Sequence, residues 1–257
     1  MACALARYNS AMAANGPGWD RKSLERPHEM PDKAKRVRRM FDAVAPRYEL
    51  INTLFSAGRD AAWRRQAVEM AHVQPDDDVL DVACGTGDFS RAFAEASPRS
   101  VVGCDFAHEM LMRATGRSNG TNRWCEADGL RLPFCDGGFS ITCCAFGVRN
   151  FQDLDLGFRE MRRVLRPGGR CLILEFTRPV NPLIRGLYEL YSGRVMPSLA
   201  SLISRDRTGA YRYLPRSVVS FLDSEQMRGK LNKAGFERIN VKPMTLGIVT
   251  IYVAWRE

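Results

Sequence analysis

Residues 79–88 read VLDVACGTGD, so two carboxylates, Asp81 and Asp88, bracket a turn built on Gly85, Thr86 and Gly87. Val79 to Ala83 has the length and β-branched content of a buried parallel strand, and the glycines let the backbone bend tightly against a bound molecule. A strand, a glycine turn and a following helix make a nucleotide pocket. Spacing decides which nucleotide. A dinucleotide turn carries a third glycine three residues after the second, and that position is Ser90 here. Asp81, at the strand end, would repel a pyrophosphate and attract a cation. S-adenosylmethionine, which carries a sulfonium and an ammonium but no phosphate, has that character.

Two further acids repeat the placement. SVVGCD (Ser100 to Asp105) reads as a second strand whose terminal acid suits ribose hydroxyls, and CEADGLRLPF (Cys125 to Phe134) puts Asp128 just beyond a third strand, within reach of an adenine amino group. Each acid alone could cap a helix or a turn. Three at successive strand ends are more specific than the glycine motif.

These side chains must be held by an alternating α/β fold. A helix at about Asp60 to Ala71 precedes the first strand, and FSITCCAF (Phe139 to Phe146) and CLILEF (Cys171 to Phe176) supply the fourth and fifth. Between them Leu156, Met161, Val164 and Leu165 fall at helical spacing, in a helix ended by Pro167-Gly168-Gly169. Phe236 to Met244 and Gly247 to Arg256 read as a closing strand hairpin. The expected architecture is a doubly wound, Rossmann-like sheet of seven strands with the last antiparallel. Residues 180–222, rich in Leu, Ile and Tyr, are expected to form a helical lid over the carboxyl edge of the sheet.

The 257 residues fit one such domain, spanning 33–257, with residues 1–32 as a flexible extension of Ala, Gly, Asn and Pro. That extension reads equally as an organelle transit peptide or as chain preceding a true start at Met30. No apolar run approaches the ~20 residues of a membrane-spanning helix. The eight cysteines show no paired spacing, and Cys84, Cys104, Cys143, Cys144 and Cys171 fall in apolar strands, which implies a reducing, cytoplasmic setting. His28, His72 and His108 have no ligand-like spacing, so no metal is expected. The net charge of +9 is compatible with nucleic acid, an anionic membrane or solubility alone. Its densest stretch, Lys33 to Arg39, overlaps an apolar stripe of Val37, Met40, Phe41 and Val44 and reads as an amphipathic helix.

Five segments together resemble the C-methyltransferases of quinone biosynthesis: RRMFDAVAPRYELIN (Arg38 to Asn52), DVACGTGD (Asp81 to Asp88), AFGVRNFQD (Ala145 to Asp153), LRPGGRCLILEF (Leu165 to Phe176) and YRYLPRSV (Tyr211 to Val218). The glycine turn and RPGG are common to class I methyltransferases, whereas FDAVAPRYELIN, FGVRN and YRYLP are specific to this family. The resemblance implies cofactor contacts at Thr86, Asp105, Asp128 and Gly129, and a polyprenylated quinol as substrate, either demethylmenaquinol or a polyprenyl methoxy-benzoquinol. The chain departs from the family at Cys84, at Ala145 where some members have Ser or Asn, and at Asp128-Gly129 where some have Asn-Ala. The last change keeps an acceptor for adenine and drops an amide donor.

Methylation of a ring carbon requires an electron-rich ring, hence a hydroxyl that ionises as the carbon attacks. Arg149 is the expected cation beside that oxygen, Asn150 the residue orienting a water that takes the proton, and Tyr48, with Asn52, the residue closing over the ring. Without the resemblance, Arg149 reads as an ordinary surface or loop-tying arginine. A prenyl tail implies peripheral contact with an anionic membrane at its cytoplasmic face, through Lys33 to Arg39 and the lid. A homodimer is compatible with all of this. Three rivals are a methyltransferase of another lipid-like molecule, a nucleic-acid-binding protein and a nicotinamide oxidoreductase. AFGVRN differs from the Pro-Pro-aromatic loop that grips a flipped base, and the missing third glycine opposes a nicotinamide.

Overall fold

Strands covered on both faces by helices must bury nearly every side chain, and Asp78–Val82, Phe139–Ala145 and Val249–Trp255 do. The computed structural model describes residues 18–118, 120, 122–179, 181–190 and 209–257. β1 (Asp78–Val82), β2 (Ser100–Asp105), β3 (Asn122–Glu126), β4 (Phe139–Ala145) and β5 (Leu165–Phe176) run parallel. With β6 (Glu237–Met244) and β7 (Val249–Trp255) they form one seven-stranded sheet ordered β3-β2-β1-β4-β5-β7-β6. β7 lies between β5 and β6 and is antiparallel to both. The order reverses between β2-β1 and β1-β4, which opens a crevice at the carboxyl ends of those strands.

Alternating side chains divide the core into two layers. One face of the sheet buries Val79, Ile141 and Ile251 against α3 (Asp60–Ala71) and α4 (Asp88–Glu95), through Trp63, Ala67, Phe89 and Phe93. The other buries Leu80, Val82 and Ile173 against α6 (Leu154–Val164), through Phe158 and Met161, and a late helix at Ser224–Lys233, through Met227 and Leu231. A third cluster joins α1 (Lys33–Val44), α5 (His108–Gly116) and a helix at Ala210–Val219, using Val37, Met40, Met110 and Tyr213. Two more helices, α2 (Tyr48–Ser56) and α7 (Pro182–Leu190), complete the described α-helices, so Ala210–Val219 is α8 and Ser224–Lys233 is α9. Among the described residues no helix is long and apolar enough to cross a membrane.

Three local expectations change. The helix before β5 ends at Val164, and Pro167-Gly168-Gly169 lies inside the strand. Its extra residues are absorbed by a register shift between Phe139, opposite Leu165, and Ile141, opposite Arg170. Gly168 and Gly169 there exchange backbone hydrogen bonds with Arg256. Among the described residues, packing also extends ahead of residue 33, back to residue 18. Trp19 is buried and stacks on Tyr213 at 4.1 Å, Leu24 is buried, and Arg36 donates to the Gly18 carbonyl. The basic run of α1 is largely spent inside the molecule: Lys33 is buried, Arg36 pairs with Asp32 and Arg38 with Glu126. Of the expected lid, α7 and α8 are described, and residues 180 and 191–208 lie outside the described residues.

Candidate cofactor and active site

The ends of β1, β2 and β4 open into a cavity, the kind of crevice in which doubly wound sheets bind small molecules. One wall is Gly85, Asp105, Asp128 and Gly129; the opposite wall is Phe41 and Tyr48 from the N-terminal helices and Phe146, Asn150 and Gln152 from the loop after β4. No lysine or arginine lines it among the described residues. A smaller inner pocket continues beneath, between Tyr48, Arg64, Asp81, Thr86 and Asp88, and shares Ala83, Gly85 and Ala145 with the outer one.

The glycine turn is braced by the acid of the next strand. The amide of Gly85, at φ +56°, donates to Asp105 Oδ2 at 2.8 Å, and Ala107 donates to Oδ1 at 2.8 Å. Those two bonds leave further lone pairs on Asp105 for hydroxyl donors. Burial pushes its carboxyl up to about 6. Gly87 starts α4 at φ +80°, and a Cβ there would sit 2.4 Å from the Trp124 ring, so the position requires glycine. Asp128 is exposed at the cavity lip, where Oδ1 accepts from Leu130 at 2.9 Å.

Asp81 lies deeper than its place at a strand end suggests. It is 1% exposed and accepts the Ser90 hydroxyl at 2.6 Å. Burial pushes it up to about 7. Ser90, which breaks the dinucleotide fingerprint, is therefore the residue that secures this acid. Thr86 is buried and its hydroxyl donates to Asp88 at 3.2 Å, while Asp88 is ion-paired with Arg91.

The expected catalytic group separates. Asn150 and Tyr48 line the outer cavity, but the Arg149 guanidinium does not. It is buried, donates to Glu175 Oε1 and to the Phe146 carbonyl, each at 2.6 Å, and lies 5.6 Å from the centre of the Phe176 ring. Its charge is matched by a fully buried carboxylate, so the geometry is that of a loop-tying arginine rather than a cation open to a substrate oxygen. The loop is tied a second time by Lys33, whose ammonium donates to the carbonyls of Arg149 at 2.9 Å and Phe151 at 2.6 Å, on either side of Asn150. Ala34 donates its amide to Gln152 Oε1 at 2.9 Å, and Gln152 Nε2 to the Met30 carbonyl at 3.0 Å.

Sequence reasoning missed Phe106, Met110, Leu130, Phe151 and Gln152 as lining residues. Phe106 directly follows the second acid, and Leu130 and Phe151-Gln152 lie within CEADGLRLPF and AFGVRNFQD, so reading each motif to its end would have found them.

The profile of the ubiE/COQ5 methyltransferase family matches residues 29–256. The chain belongs to the ubiE/COQ5 methyltransferase family. The chain is similar to the demethylmenaquinone methyltransferases of Deinococcus radiodurans, 41% identical over 86% of this chain and 93% of that protein, and of Thermus thermophilus, 42% identical over 84% and 100%. The ubiquinone/menaquinone biosynthesis C-methyltransferase of Geotalea daltonii is 38% identical over 87% and 97%. A solved S-adenosylmethionine-dependent methyltransferase of Thermotoga maritima, described as a possible histamine N-methyltransferase, shares the fold with a TM-score of 0.63 at 16% identity, over 85% of this chain and 99% of that one. As a member of the ubiE/COQ5 family the protein is an S-adenosylmethionine-dependent methyltransferase. The site fits that cofactor: among the described residues its outer cavity has acids and no lysine or arginine, and its inner pocket holds a buried acid with no cation bonded to it.

Proposed function

We propose that the chain methylates a ring carbon of demethylmenaquinol to give menaquinol. The observation that carries this reading is convergence. Three segments particular to the quinone methyltransferases, far apart in the chain, meet at one cavity: Phe41 and Tyr48 from the first, Phe146 and Asn150 from the second, and Tyr213 from the third through its hydroxyl bond to Asn150 at 2.9 Å. The names borne by the Deinococcus and Thermus relatives favour the naphthoquinol over a polyprenyl methoxy-benzoquinol.

In this reading the acids of the cavity hold the cofactor: Asp105 the ribose hydroxyls, Asp128 and Gly129 the adenine edge, and Asp81 the ammonium. Bound there, the cofactor supplies an electrophilic methyl group. The chain then has to align the ring carbon with it, exclude water and favour the ionised hydroxyl. Phe41, Tyr48 and Phe146 present an apolar wall to the ring, and alignment removes much of the entropic barrier. Asn150 is the polar group nearest to that task, its side chain aimed by Tyr213 and its backbone held by Lys33 and Arg149. A phenol ordinarily titrates near ~10, and each unit of depression needs about 1.4 kcal/mol of selective stabilisation of the anion.

The prenyl tail of such a substrate would sit in a bilayer, and we place the enzyme at its cytoplasmic surface. Support for membrane contact moves from α1 to α7, where Leu183 and Leu190, seven residues apart on one helix face, are 73% and 49% exposed. Purified protein with methyl-labelled cofactor, offered demethylmenaquinol and a demethylated benzoquinol separately, tests the assignment. Label entering only the naphthoquinol is expected. Label entering only the benzoquinol would move the protein to the ubiquinone pathway, and label entering neither would remove the quinol reading.

A further inference from the structure

Arg64 is a buried cation in the inner pocket with donors to spare. It stands one turn into α3, 6% exposed, and ion-pairs through Nη1 with Asp60, which is itself held by the Ser56 hydroxyl at 3.0 Å. Its guanidinium carbon lies 5.5 Å from the centre of the Phe146 ring. The Nε–H is buried and has no hydrogen-bond partner among the described residues. A guanidinium offers five donors, and leaving one desolvated and unpaired is costly unless a ligand completes it.

The surroundings indicate the ligand. Asp81, which only accepts when ionised, and Arg64, which only donates, border the same small pocket, with Thr86, Asp88 and Tyr48 between them. Asp88 is already paired with Arg91. A pocket that offers one acid and one guanidinium is matched by an α-amino acid, whose ammonium and carboxylate stand on one carbon. It opens into the outer cavity through Ala83, Gly85 and Ala145, so a molecule with its nucleoside against Asp105 and Asp128 has its far end here.

We propose that Arg64 binds the carboxylate of the cofactor's amino-acid end. The inference rests on S-adenosylmethionine occupying the site. The same guanidinium could instead receive an ionised quinol oxygen, and the two sources of anionic oxygen are separable by experiment.

Calorimetric titration of wild type, Arg64→Met and Arg64→Lys with S-adenosylmethionine and with its decarboxylated analogue isolates the carboxylate. In wild type the analogue is expected to bind more weakly. Arg64→Met is expected to weaken S-adenosylmethionine by about 30-fold or more, as truncating one partner of a buried charge pair does, and to change the analogue by less than about threefold. Arg64→Lys is expected to fall between. Equal losses for both ligands, or none for either, would overturn the proposal. Unchanged cofactor affinity with a reduced kcat and a displaced pH profile would assign Arg64 to the quinol oxygen and equally overturn it. Should Arg64→Met fail to fold, the wild-type ratio of the two ligands and the Arg64→Lys variant decide. Wild type that binds neither ligand would refute the cofactor reading itself, a different failure.

Discussion

The Tyr213 hydroxyl donates to Asn150 Oδ1 at 2.9 Å, which leaves the amide nitrogen of Asn150 as the end available to the cavity it lines. Tyr213 is wholly buried and clamped against Trp19, so this orientation is built into the core between α8 and the loop after β4. Tyr213→Phe keeps the stacking and removes the hydroxyl. Denaturant titration should show a loss of about 1 kcal/mol, the usual net value of one such bond. Cofactor affinity by calorimetry should stay the same while kcat drops. An unaltered kcat would detach the aim of Asn150 from the reaction.

Asp81 makes cofactor binding depend on pH. Burial raises its folded pKa from 3.8 to about 7, so its contribution to the stability of the free protein is fully present below 3.8 and is lost as pH rises through 7. A bound cation favours the carboxylate. Binding at about pH 6 should therefore release protons, and affinity should rise with pH until about 7. Calorimetry in buffers of differing ionisation enthalpy measures the release. Asp105, held near 6, titrates in the same region, so Asp81→Asn serves as the control: the upper part of the pH dependence should vanish.

The Arg149–Glu175 pair separates a structural role from a catalytic one. Arg149→Met leaves Glu175, which is fully buried, without its cation, and should destabilise the fold by about 3–5 kcal/mol. Arg149→Met combined with Glu175→Gln removes both charges and should recover much of that loss in thermal unfolding. If the recovered double variant also turns over quinol, Arg149 acts by tying the loop. Restored stability without turnover would return it to the reacting atoms.

His28 and Lys33 give the fold an acid limit. His28 Nε2 donates to the Ser217 carbonyl at 2.9 Å and Nδ1 accepts from Lys33 at 3.3 Å, an arrangement open only to the neutral ring. Burial, aided by the Lys33 charge, pushes His28 down from 6.5 to about 4. A depressed pKa means that its contribution is present above 6.5 and is lost as pH falls through 4. Melting temperature should fall across that window, and His28→Gln should flatten the fall. Burial also lowers Lys33 to about 8 from 10.5, so its own contribution grows with pH over that interval and works against any alkaline loss.

Much of the fold was legible because the chain writes its periods plainly. Val79 to Val82 and Phe139 to Ala145 are mostly apolar, β-branched runs of strand length, and Leu156, Met161 and Val164 keep a helical stripe. The acids of the nucleoside wall, Asp105 and Asp128, were legible for the same reason: each directly ends or follows a strand, and strand ends of a parallel sheet share one edge. The helix before β5 was overextended at Pro167-Gly168-Gly169 because its bonds go to Arg256, about 90 residues downstream, which no local pattern reveals.

What the sequence determined by itself is therefore the set of short-range facts: a glycine turn that only small residues can make, acids where a phosphate would be refused, and segments shared with one enzyme family. Tertiary structure alone decided which charges are free. Arg149 and Arg64 look alike in the chain, yet Glu175 and the Phe146 carbonyl engage the first, whereas the second borders the inner pocket and keeps a buried Nε without a partner among the described residues. The reason is physical: a charge's chemistry depends on what lies within a few ångströms of it after burial, and those neighbours come from strands and helices that folding, not sequence order, brings together.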